Sequence, residues 1–150
     1  MTQSIDEITA NLDLALVEKG IPEVKVETDY DKFINMSYEN VQKINGDEAR
    51  QIAYMLHQCA LNIQQKCNRI DAKLLTVKNN LNKALSQVYE SYNTYNGYDI
   101  VLGKACIEYT EINDLNNLKI KLESELTDMK YMSKHVDEMA KIMNQLYWKK

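Results

Sequence analysis

Residues 62–85 read NIQQKCNRIDAKLLTVKNNLNKAL, a run without Gly or Pro in which Ile63, Cys67, Ile70, Leu74, Val77, Leu81 and Leu85 recur every three or four residues. An average step of about 3.6 is the period of a straight α-helix. The same seam reaches back through Ile52, Leu56 and Cys59 and forward through Val88 and Tyr92. The spacing predicts one helix over about 47–93, roughly 65–70 Å long at ~1.5 Å per residue.

After it comes NTYNGYD, residues 93–99, with the Asn96-Gly97 turn signal and no apolar period. A second seam follows: Leu115, Leu118, Leu122, Leu126, Met129, Met132, Val136, Met139, Met143 and Leu146. Its average step near 3.5 approaches that of a coiled coil. This helix is expected to start at Asp99 or at Asn113 and to run to about 148. The fold class is therefore all-α, a long antiparallel helical hairpin (about 47–93 and 99/113–148) preceded by a short N-terminal helix and an extended arm. A hairpin has one shared seam and little interior, so either the N-terminal residues or other copies of the chain are expected to pack along it.

The N-terminal part, 1–46, forms one domain with the hairpin of 47–150. Ser4-Ile5-Asp6-Glu7 is an S-x-x-E capping box, and Ile5, Ile8, Leu12 and Leu16 give the stripe of the helix it opens. Gly20 and Ile21-Pro22 end that helix. EVKVETDY, 23–30, alternates apolar and charged residues but has no partner strand, and is expected to be an arm. Ser37 caps a short helix to about Ile44, and Asn45-Gly46 breaks the chain.

Charge is unevenly spread. Residues 1–48 hold four lysines against eleven acids, whereas residues 49–150 hold fourteen basic residues against eleven acids. An acidic head on a basic body suits a protein whose body meets a polyanion; two solvated surfaces of unequal charge give the same pattern. Cys59, Cys67 and Cys106 lack C-x-x-C spacing and read as reduced core residues of a cytosolic protein. No apolar run is long enough to span a bilayer, and no secretory leader is legible at the start, so a soluble protein without a membrane partner is expected.

Chemistry finds no foothold. His57 and His135 stand on different helices without a neighbouring nucleophile, metal-ligand spacings are absent, and Gly97 and Gly103 belong to no phosphate-binding loop. The expectation is a protein that is not an enzyme and takes no cofactor or metal. A binding surface has more support. Lys66, Arg69 and Lys73 lie beside the seam of the first long helix within an arc of about 60°, with Asn62 and Asn80 among them. Lys78 and Lys83 follow on the same helix, against the lone acid Asp71 within residues 62–85. Lysines at successive turns can neutralise phosphates, amides can donate to them, and Tyr89, Tyr92, Tyr95 and Tyr98 at the tip could stack on unpaired bases. Equally, the cations could cover seam edges with their stems and the tyrosines could pack the tip.

The order of a capped helix, GIPEVKVETDY, INMSYENVQKINGDEA, a long helix containing NRIDAKL, a tip and a second long helix with a basic end resembles small helical proteins of tailed phages. Over about residues 50–93 the long helix resembles that of the UvsY-type recombination mediators, whose R-I-[DE]-A element is matched by Arg69-Ile70-Asp71-Ala72. The resemblance implies a homo-oligomer in the cytoplasm of an infected bacterial host. Its partners would be single-stranded DNA, a single-strand-binding protein and a RecA-like recombinase that it loads. It also implies Lys66, Arg69 and Lys73 as phosphate contacts. The competing expectation is a structural or assembly adaptor, a coiled-coil chaperone of virion components that grips protein through the Met-rich helix and the acidic head. The charge asymmetry also admits a head that covers the basic flank until DNA or recombinase displaces it.

Overall fold

A computed structural model describes residues 7, 10–14, 36–92 and 95–149. Residues 10–14 are helical, and then come α1 (Tyr38–Gln42), α2 (Gly46–Val88), a single 3-10 turn (Tyr89–Ser91), α3 (Tyr98–Glu108) and α4 (Thr110–Lys149). Among the described residues there is no strand. The all-α helical hairpin holds, with α2 and α4 packed against each other. The Ser4 capping box and the arm at 23–30 lie outside the described residues.

The chain divides into two compact units, Met1–Pro22 with Arg69–Leu126 and Glu23–Asn68 with Thr127–Lys150, so both long helices contribute to each. In the second unit, Ile52, Leu56, Cys59, Ile63 and Cys67 of α2 are buried with Val136, Ala140 and Met143 of α4. Val41 and Ile44 are buried there too. The pairs His57–Asp137 and Arg50 over the Tyr147 ring give the antiparallel sense, since the partner number rises as the α2 number falls. In the first unit, Ile70, Leu74, Val77, Leu81 and Leu85 of α2 are buried with Ile112, Leu115, Leu118, Leu122 and Leu126 of α4 and with Val101 and Ala105 of α3. Leu12 of the N-terminal residues is buried in this unit as well. The described head residues thus pack on the hairpin, one of the two solutions expected for its shortage of interior.

Local chemistry sets the boundaries. Ser37 caps α1, its hydroxyl accepting from the Asn40 N–H at 3.4 Å. Asn45 stands in the break between α1 and α2 and caps the second: its Oδ1 accepts from the Glu48 N–H at 2.8 Å, and Gly46 is already helical. The second long helix proves to be two. Tyr109, extended at φ −120° and ψ 111°, ends α3 by donating its N–H to the Ala105 carbonyl and opens α4 by accepting from the Asn113 N–H. One residue serves as both caps, so neither glycine nor proline is needed at the break. The α4 seam also differs from expectation at Met132, which is 40% exposed, while Ile112 and Ala140 are buried on the seam. Trp148 near the end of α4 is 78% exposed and meets Tyr147 edge to face at 5.2 Å.

Adjacent leucines of α2 provide a test of the seam. Leu74 is 6% exposed and Leu75 62%. Leu74→Ala should lower unfolding stability by about 2–5 kcal/mol, whereas Leu75→Ala should stay within about 0.5 kcal/mol of the parent, measured by urea titration followed by circular dichroism.

Candidate nucleic-acid interface

The basic residues of α2 are held in a continuous helix free of Gly and Pro after Gly46, so their positions around its axis follow from their numbers. The division between units falls between Asn68 and Arg69, which leaves Lys66, half-buried, in one unit and Arg69, Lys73, Lys78 and Lys83 in the other. Arg69 and Lys73, one turn apart, are brought together on a single oxygen. Asp13 Oδ1 lies 3.2 Å from Arg69 Nη2 and 2.6 Å from Lys73 Nζ.

The two cations are sunk and their anion is not: the side chains of Arg69 and Lys73 are 9% and 15% exposed, that of Asp13 42%. Arg69 is the buried charged residue among those described. A carboxylate accepting from a guanidinium so placed offsets part of its desolvation. Partial burial works to raise the Asp13 pKa, but the hydrogen bonds from Lys73 and Arg69, together with their charges, hold it below the ordinary 3.8.

Lys78 stands about 140° around α2 from Lys73 and turns toward α4, where its Nζ is 3.5 Å from Glu123 Oε1. Both partners are nearly half exposed, so the pair contributes little to stability. Asn80, about two turns beyond Lys73 on the same face, is exposed, and Lys83, about 80° round from Lys73, is exposed too. Of the four predicted cations in the first unit, Arg69 and Lys73 form a closed pair, Lys83 with Asn80 continues their side of the helix, and Lys78 faces α4. Lys66 lies within about 20° of Lys73 around α2 by its number, in the second unit.

Tyr92 and Tyr98 of the tip are held through their phenols, while Tyr95 is 94% exposed. Tyr92 Oη donates to Glu108 Oε2 at 2.8 Å, and Tyr98 Oη to Asn82 Oδ1 at 3.1 Å. Desolvation, the bond to Glu108 and its negative charge push the Tyr92 phenol up to about 12. The tip is thus fastened to α2 and α3 through its phenols.

Sequence reasoning missed Asp13. Its one signal was an acid directly after the stripe residue Leu12, in a segment read for its capping box, its stripe and its overall charge. Elsewhere, His57 Nδ1 lies 3.5 Å from Asp137 Oδ1, and Asp137 Oδ2 is 2.8 Å from Lys141 Nζ. The hydrogen bond from Lys141 is the chief cause of the depressed Asp137 pKa, with His57 adding to it. Cys59 and Cys67 are buried, and partial burial pushes the Cys106 thiol up, away from the reactive thiolate. Among the described residues no group of three His, Cys, Asp or Glu could hold a metal ion, and no helix is long and apolar enough to cross a membrane.

The Asp13 cluster has a pH signature. Because its folded pKa is depressed, the carboxylate adds stability above its ordinary value of 3.8 and loses that contribution as pH falls through the lower folded value. Urea midpoints of the parent and of Asp13→Asn should therefore differ at neutral pH, with the parent more stable, and converge in acid. A constant gap across that range would contradict the ion cluster.

Comparison with known proteins leaves the geometry to stand alone: no protein-family model, no curated protein and no solved structure matches this chain.

Proposed function

We propose that the chain is a non-enzymatic, oligomeric single-stranded-DNA-binding protein, a phage recombination mediator of the UvsY type. The observation that supports this reading is the convergence of Arg69 and Lys73 on one oxyanion, Asp13 Oδ1. A guanidinium and an ammonium aimed at a single oxygen form a seat that fits a phosphate oxygen as well as a carboxylate. Asn80 and Lys83 continue the same side of α2 and supply a further amide and cation for a strand running along the helix. Binding is electrostatic and multivalent: each copy offers a few weak contacts, and several copies hold one strand. Loading of a RecA-like recombinase and displacement of a single-strand-binding protein in the host cytoplasm belong to this proposal through the likeness of Arg69-Ile70-Asp71-Ala72 to the mediators' element.

A second reading, the virion assembly adaptor, is favoured by a different observation. Tyr131 and Ile142, about three turns apart on one face of α4, are exposed, as is Trp148. Exposed apolar side chains set among the polar His135 and Glu138 suit the mixed contact surface of a protein partner.

Fluorescence anisotropy with a labelled oligothymidine, at low and moderate salt, separates the two. Salt-sensitive binding by an oligomer whose mass is read by light scattering is expected. Lys83→Gln should lower the slope of log affinity against log salt by about 0.7, the share of one phosphate contact on a single strand, while Lys78→Gln should leave it unchanged. Absence of binding at low salt, with salt-insensitive capture of a protein, would give the adaptor reading instead.

A further inference from the structure

The Arg69–Lys73 seat is occupied from within the chain, and by an unusual occupant for a purely structural ion pair. Its cations are 9% and 15% exposed, but the carboxylate that compensates them is 42% exposed. The approach to the seat is therefore the side on which Asp13 stands. Around it, Ala10, Asn11 and Leu14 are exposed, and Leu12 is the buried residue of the described head segment. Among the described residues 10–14, Leu12 supplies the buried apolar side chain and Asp13 the ion pairs.

We infer that Asp13 is an intramolecular competitor that closes the Arg69–Lys73 seat, and that a nucleic-acid strand opens it by exchanging a phosphate for the carboxylate. The inference rests on the DNA-binding reading and adds its regulation. Exchange of one anion for another keeps Arg69 compensated, so opening never leaves a bare buried guanidinium. The departing carboxylate returns to water, in which it is already partly immersed. An acid carried by the same chain competes without loss of translational freedom, so a single free phosphate is a poor rival. A strand succeeds because Asn80 and Lys83 hold its neighbouring phosphates while one of them takes the seat. The head thus sets a length threshold: short anions are refused and long ones admitted.

The test compares oligothymidine with thymidine monophosphate on the parent chain, Asp13→Asn and Asp13→Glu, with helicity followed by circular dichroism. Asp13→Asn should bind oligothymidine on the order of tenfold more tightly, because the competing negative charge of Asp13 is then gone. Asp13→Glu should keep the parent affinity, and monophosphate should compete poorly against the parent. Equal or weaker binding by a folded Asp13→Asn protein, with the parent still binding, overturns the competitor and leaves the DNA reading intact. No binding by parent or variant removes both. Should Asp13→Asn fail to fold, hydrogen exchange on the parent chain decides: amides of residues 10–14 should exchange faster when oligothymidine is bound, and unchanged or slower exchange overturns the inference.

Discussion

Two helices side by side have only one line along which both can be dry, and the other packing in this chain is an answer to that constraint. The α2 seam carries a buried apolar residue at nearly every turn, and α4 answers it within each unit. What remains is the flank of each seam, where a side chain is too deep to be fully hydrated and too shallow to be apolar without cost. Other elements supplement that flank: Leu12 and α3 in one unit, Val41 and Ile44 in the other. Stability is therefore spread along the hairpin in small increments rather than gathered in a single centre.

Arg69 is where this constraint meets the proposed function. Its position next to Ile70 places a guanidinium at the seam edge, with a long stem that can lie on apolar surface and a head that requires an anion. Asp13 meets the requirement from a distant part of the sequence, and Lys73 doubles the positive charge that it serves. The same three groups can be described as a tertiary clasp or as a filled anion seat. The difference lies in which partner faces water, and here it is the anion.

Much of the hairpin was legible because burial writes a period into sequence, and that period was followed from Ile52 to Leu85 in α2. The break at Tyr109 was not. Val101, Ala105, Ile112 and Leu115 are the buried residues on either side of it. At about 100° per residue they would share one face even in an unbroken helix. The apolar phase crosses the break without a slip, and no Gly or Pro marks it. Met132 was misjudged because an average step near 3.5 drifts against a helix of about 3.6, so a candidate residue leaves the seam while Ala140, too small to draw notice, stays on it. The Asp13 clasp was illegible for another reason. Pairing over 56 positions of sequence leaves no local pattern, and only total charge hinted that the head and body attract.

Trp148 is the single tryptophan of the chain and stands in solvent near the end of α4, edge-on to Tyr147. Its emission consequently reports the water around one helix end and carries little information about the seam. Loss of the core would leave its spectrum nearly where it began. A blue shift in the folded protein would mark something else: arrival of another surface over Tyr147 and Trp148, seen with a probe that the sequence itself provides.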